Sequence, residues 1–478
     1  MSMTARSHLT AGLGLPNRDQ SLAADLAALR LLTFAALLGL FTAMGTANAA
    51  ETAGRVLFSR GVVSAQTVGQ PLRLVGEGSE VFIGDAIDTA PESFTVLELA
   101  DRTRMVLRAG THFSVESLNT APGAEQAMLH LYRGGLRSVS GQTSKHRHNA
   151  FLIRTGTALV GVNGTDFAAR LCEDDCLRQA ERLKRLPIVP SPVVARVILQ
   201  KGEITCLGAD GKTQSLALGA PVYERDILET APRATAALAF RDQSRVTLEP
   251  GTRYRIEHFS HEAEAPEKDG AVTELVKGGL RTLTGVIAKR HPENYKVNSA
   301  VATIGIRGTG FDLLYPFECI ECADGGIAPL GLLASVWRGR IGIEESNYTV
   351  DTGETVFVGE RGGKVRKLRK KPVMLTPRPD DLEPPGNTFG ARQRFGTEPG
   401  LHVSVRDGHV VMSNSGGELH LGRDEDGYAY SDAVPPERYV SEQPIARIDP
   451  YFELDPSGDP QDWGNSAPWT IEEPCPPR

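Results

Sequence analysis

Several things this chain has little of narrow what it can be. Its net charge is -7, with no excess of basic residues. That argues against nucleic acid as a partner, because phosphate binding needs a basic surface or a concentrated basic stripe. The one basic run, from Lys364 through Arg366, Lys367, Arg369 and Lys370 to Lys371, is short. It reads as a solvated linker, with contact to an anionic envelope surface as the alternative. Long apolar runs are missing beyond residue 50, so no transmembrane segment is expected in the mature chain. Catalytic signatures are missing too: there is no His-Glu-x-x-His, no Gly-x-Ser-x-Gly and no phosphate loop. Gly305-x-x-Gly308-x-Gly310 has the wrong spacing for a dinucleotide fingerprint and opens no helix. No enzyme activity, cofactor, catalytic residue or metal site is expected. Helical periodicity is nearly absent as well, which points to an all-β protein.

Glycine, in contrast, is plentiful. The 50 glycines fall between short apolar runs, as turns between strands do. Phe94 to Leu99, a break at Ala100-Asp101-Arg102, then Thr103 to Leu107 spells a hairpin, and Thr235 to Phe240 with Arg245 to Leu248 spells it again. The echo is general. Gly134-Gly135-Leu136-Arg137 returns as Gly278-Gly279-Leu280-Arg281, and Gly161-Val162-Asn163-Gly164-Thr165-Asp166-Phe167 as Gly305-Ile306-Arg307-Gly308-Thr309-Gly310-Phe311. A repeat of about 120 residues can bury its own core, so this is a duplicated domain.

The first fifty residues bear on compartment. Arg30 is followed by an uncharged apolar stretch, Leu31 to Phe41, and then by Ala47-Asn48-Ala49, small residues where a signal peptidase cuts. Residues 1–49 are expected to be a signal peptide. The alternative is an uncleaved inner-membrane anchor through residues 31–50. Export gives the six cysteines a meaning. Cys172 with Cys176, and Cys319 with Cys322, follow the Gly-Thr motif of each copy and read as two local disulfides. A zinc site across the copies and a redox pair at Cys319 and Cys322 are the alternatives. Cys206 and Cys475 are bridged to each other or free.

Between the copies, Asp174 is a plausible N-cap for a short helix carrying Leu177, Ala180 and Leu183, which Pro187 ends. The expected layout is two tandem antiparallel β domains, 54–172 and 195–360, joined by a helical, proline-rich spacer at 173–194. A basic and proline-rich linker (361–397) follows, then a small β element (398–432) with an Asp407-Gly408 hairpin turn. An irregular acidic, proline-rich tail (433–478) ends the chain, carrying exposed-looking Trp463 and Trp469.

The repeated residues carry a family resemblance. Gly219-Ala220-Pro221-Val222-Tyr223 through Asp226-Ile227 and Thr230, then Ala302 to Ile306 followed by Arg307-Gly308-Thr309, resemble the FecR domain. That family is named for the ferric citrate transport regulator of Gram-negative bacteria. Copy one departs with Asn163-Gly164-Thr165, and copy two has Gly310 where copy one keeps Asp166. In the regulators the domain lies in the periplasm and passes a signal from an outer-membrane receptor to a sigma factor. Here only about thirty residues precede the apolar stretch, too few to fold alone as the cytoplasmic sigma-regulating domain. The resemblance implies an exported, periplasmic β domain that binds or senses something.

Two functions follow as expectations. One is a non-catalytic periplasmic binding or scaffold protein, its partner an envelope protein or polysaccharide. The other is a signalling component of the FecR type acting through a membrane-spanning partner. Gly164, Thr165, Asp166, Arg307, Gly308 and Thr309 are expected to be structural turn residues. In the turn-like segments at Lys145, His146 and Arg147, and at Lys289 and Arg290, a shared anion contact is the functional alternative to solvated turns.

Overall fold

The computed structural model describes residues 51–463, apart from 147–149, 184, 263–264, 320–327, 370 and 372. The expected leader and its cleavage site, Cys322, Cys475 and Trp469 lie outside the described residues. Among those described, no helix is long and apolar enough to cross a membrane. From Thr52 on, the described residues cluster as one compact unit that holds both copies.

The strands form two large sheets, of 16 and 15 strands. Alternation builds them: in Asp85–Thr89 every second side chain is buried, as period-two patterning requires. Each sheet curls around its own apolar core, one centred on residues such as Phe113, Leu129 and Phe167, the other on Tyr254, Leu275 and Phe311. Pairing is mostly antiparallel; Arg392–Gln393 runs parallel to Glu437–Val440 in the first sheet, and one further parallel pair recurs at the same place in each copy. Phe151–Arg154 runs parallel to Gln126–Val139, and Tyr295–Asn298 parallel to Gly270–Leu283. Parallel neighbours need a crossover connection. Short helices supply it, at Thr143–His146 and Val286–Arg290, where the sequence suggested open turns.

The two copies are closed by different routes. Copy two closes locally: Thr303–Cys319 pairs with Ala328–Ile343, which pairs with Thr355–Val358. In copy one the equivalent strand, Leu159–Cys172, pairs instead with Gly400–Asn414, which pairs with Asp426–Ala429. The closing strand of the first copy therefore comes from beyond the whole of the second. The β element expected at 398–432 runs in the sheet of copy one, and so does Glu437–Val440 from the expected irregular tail. Asp407-Gly408 is not a hairpin turn, because the strand passes straight through it.

Segments after each closing strand lie across the sheets. The main chain of Thr376 accepts a hydrogen bond from Arg281 (2.8 Å), and Phe452 and Leu454 accept from Arg137 (3.0 and 2.8 Å). Arg137 and Arg281 are equivalent positions, so each copy has its own strap. Part of the basic run is an edge strand, Val365–Lys367, rather than a free linker, and Lys371 pairs with buried Asp312 at 3.1 Å. Trp463 is buried against Phe58 and Phe94, so the tail packs back as far as this residue. In the spacer the helix is Asp175–Ala180, and Cys176 and Ala180 face inward while Leu177 is exposed. The Cys172–Cys176 disulfide turns that face toward Ile445.

Candidate functional site

The Gly-Thr motif sits in the middle of a long strand in each copy. Between Asn163 and Asp166 two residues of the strand oppose the single residue Gly408, and between Arg307 and Gly310 two oppose Gly339. This is a bulge opened by a glycine in left-handed conformation, with φ of 59° at Gly164 and 63° at Gly308. The facing glycines are needed for closeness, since a Cβ on Gly408 would lie 2.4 Å from the Gly164 carbonyl oxygen. The threonines pin the bulge. Thr309 N donates to Thr284 Oγ1 (2.8 Å) and Thr309 Oγ1 donates to the Arg340 carbonyl (2.7 Å). Thr165 makes the corresponding bonds with Ser140 and His409. Phe167 and Phe311 re-enter the two cores. Asp166 receives a two-point bond from Arg137, at 3.0 and 2.7 Å.

The closing strands of copy one also meet copy two. Glu425, just ahead of Asp426–Ala429, is buried between Arg196 of copy two and Arg438, whose Nε lies 3.2 Å away. Burial alone would raise the Glu425 pKa, but the two guanidinium groups and the Gly422 N–H outweigh it and hold it down to about 2. Arg196 also donates to the Thr388 and Gly219 carbonyls, and Arg438 to those of Asn387, Gly390 and His420. The His420 ring lies against Gly219 so tightly that a Cβ there would sit 2.3 Å from it. Burial pushes the His420 pKa down to about 4, helped by Arg196 and Arg438. Sequence reasoning missed this junction. Its one legible signal was a charged residue inside an otherwise apolar strand, Arg196 in Val193–Lys201.

Beside the junction a cleft of about 440 Å³ opens between the copies, bordered by the Gly164 bulge on one side and the 208–216 hairpin of copy two on the other. Lys212 bridges it, 3.0 Å from Asp210 and 3.3 Å from Asp407. Its pKa is raised by the Asp210 hydrogen bond and then by Asp407. Asp226 at the floor is raised by burial, and takes N–H donation from Tyr223 (2.8 Å). The Cys206 thiol behind it is buried and pushed up, by burial first and Asp226 second. Ser144, on the crossover helix, lines the same cleft, its hydroxyl unpartnered among the described residues. The arrangement suits reversible binding of a polar ligand or a protein loop. Among the described residues no three His, Cys, Asp or Glu side chains converge as metal ligands do.

The other residues singled out in the sequence fall elsewhere. Lys289 and Arg290 are exposed on the second crossover helix, and Lys145 and His146 lie on the first. Arg147 and the Cys319–Cys322 pairing are outside what the structure describes, and so is the side chain of Arg307.

Comparison with known proteins agrees with the geometry. The family model described as FecR protein matches twice, over residues 85–178 and 226–326, once in each copy. Each copy is thus similar to the FecR domain over these residues. Three solved chains also match. Two crystal structures of a candidate anti-sigma factor from Parabacteroides distasonis are 18% and 16% identical, each with a TM-score of 0.22. Each match covers 30% of this chain and 58% of the other, less than two thirds of that protein's length. No curated protein matches.

Proposed function

We propose that this is a non-catalytic binding or scaffold protein of the cell envelope, exported by its N-terminal signal, in which two FecR-type domains present one shared surface. The observation that carries this reading is the junction at Glu425. A flexible tether would not need a carboxylate buried between two arginines, because such a group is costly unless every partner is held in place. The junction fixes the cleft at Lys212 and Asp407 as a feature of both domains together. The Cys172–Cys176 disulfide supports an oxidising compartment. The partner class is an envelope protein or polysaccharide that meets the polar cleft. Affinity capture from envelope extracts with the wild-type chain and with Asp407→Lys tests it. A partner held by the wild type and released by the variant is the expected result, and partners indifferent to the cleft would sink the reading.

The FecR matches favour a second reading, a signalling component that acts through a membrane-spanning partner. Under it, deleting the chain alters transcription of a small gene set, and Asp407→Lys reproduces that change.

A further inference from the structure

The internal junction has two unused halves. Copy two meets copy one through its first strand and the hairpins beside it, so copy one has an equivalent surface at its own outer end. Copy one receives that contact on its closing strands, so copy two has an equivalent receiving surface at the other end. Strand registers define the counterparts. Arg55 stands to Glu98 and Glu80 as Arg196 stands to Ala239 and Pro221. The Glu354 carbonyl accepts from Val336 N (3.0 Å) as the Glu425 carbonyl accepts from Val405 N (3.1 Å). Lys367 lies beside Val356 as Arg438 lies beside Gly427, and each pairs with its glutamate, at 2.5 and 3.2 Å. The receiving pair, a glutamate with one cation, is thus already assembled at the outer end of copy two. Among the described residues it has no second cation such as Arg196 supplies inside.

That cation is present on the opposite end of the molecule. The Arg55 side chain is 62% exposed, against 2% for Arg196, and pairs with Glu98 at 2.9 Å along its own sheet. The neighbouring hairpin, whose Arg73 donates to the carbonyl of Glu80 opposite Arg55, carries Val68, Leu72 and Leu74, exposed by 94%, 60% and 74%. Val68 and Leu72 belong to the hairpin loop equivalent to the one that carries Lys212 into the cleft. The surrounding charges are exchanged in a complementary way. Inside, Lys212 meets Asp407. At the outer ends, the counterpart of Asp407 is Arg338, with Arg340 near it, while Glu77 and Glu80 replace Leu218 and Pro221 near the loop. The end of copy one has gained two carboxylates beside Arg73, and the end of copy two has gained Arg338 beside an Arg340–Asp351 pair.

We propose that these ends dock on each other between molecules, head to tail, with Arg55 of one molecule entering beside Glu354 and Lys367 of the next. Such a contact joins two different surfaces, so it does not close at a dimer by two-fold symmetry and each added chain leaves one surface of each kind free. This proposal stands on the strand registers and not on the binding role proposed above.

Sedimentation velocity on the purified full chain, over a concentration series, gives the test. Species larger than a dimer are expected as concentration rises. Arg55→Glu and Glu354→Arg each place like charges together, and each alone weakens association by about tenfold or more. Mixed together, the two variants restore species larger than a dimer, because unaltered Arg55 and Glu354 make one contact while the introduced carboxylate faces the introduced guanidinium in the next. Leu72→Glu, at an exposed loop position, weakens it independently should Glu354→Arg disturb its own turn. A chain that stays monomeric throughout, a dimer indifferent to all three substitutions, or a mixture that fails to reassemble overturns the proposal.

Discussion

Around Gly308 there is room for a side chain: no heavy atom lies within 4 Å of where a Cβ would be, and only the φ of 63° stands in the way. Gly339 opposite is the reverse case, with the Gly308 carbonyl oxygen 2.7 Å from its would-be Cβ. The two glycines are therefore separable by substitution. Gly308→Asn is expected to be nearly neutral, since asparagine enters the left-handed region readily, while Gly308→Val costs about 1–2 kcal/mol from backbone strain. Gly339→Ala costs more than Gly308→Ala, because it adds a clash to the strain. Chemical denaturation of the four variants checks the order. The repeat marked Gly164 and Gly308 in the sequence as structural turn residues, and their left-handed φ agrees, but that they open a bulge was not legible. A bulge is defined by its partner strand, and the partner of Gly164 is Gly408, far along the chain.

At the level of elements, the hairpins and the alternation of buried positions were legible, because they depend on neighbours a few residues apart. The crossover helices were not. Thr143–His146 and Val286–Arg290 are single turns, too short for helical periodicity to register. The exchange of closing strands was harder still, although a trace of it exists. Ser335-Val336 and Gly339 are echoed by Ser404-Val405 and Gly408, at the same places in the two closing strands. The exchange makes a prediction about dependence. A chain ending at residue 383 keeps every described strand of copy two but strips Leu159–Cys172 of its outer partner. Hydrogen exchange is expected to speed up across Leu159–Cys172 while Thr303–Cys319 stays protected. Equal loss of protection in both strands would contradict the separate closure of the two sheets.

For the whole molecule, the strongest single coupling is at Glu425. Removing one partner of a buried, hydrogen-bonded pair costs about 3–5 kcal/mol. Arg196→Ala is expected in that range, and Arg55→Ala, in an exposed pair, in the range of about 0–1 kcal/mol. Thermal unfolding of the two variants makes the comparison, and equal effects would deny the junction its role. Acid dependence follows from the same site. His420 has its pKa depressed from 6.5 to about 4, so the unfolded chain takes up its proton first, and stability present above about pH 6.5 is lost as pH falls toward 4. His402, buried against Tyr428 and Tyr439, is also lowered to about 4 and acts in the same direction. Glu425 is depressed from 4.5 to about 2, so its contribution is complete above 4.5 and disappears as pH falls through 2. A melting temperature that declines in two stages, with the lower stage missing in Glu425→Gln, is the expected profile.

The strand exchange also sets an order in time. The described strands of copy two can all pair once residue 382 has been made, because their strand partners precede that point. Copy one is synthesised first yet waits, with the edge of Leu159–Cys172 open, until residues 400–429 arrive. An open strand edge is a template for wrong pairing. The half that is born first is thus completed last, and the interval between those events is when the chain most needs a chaperone.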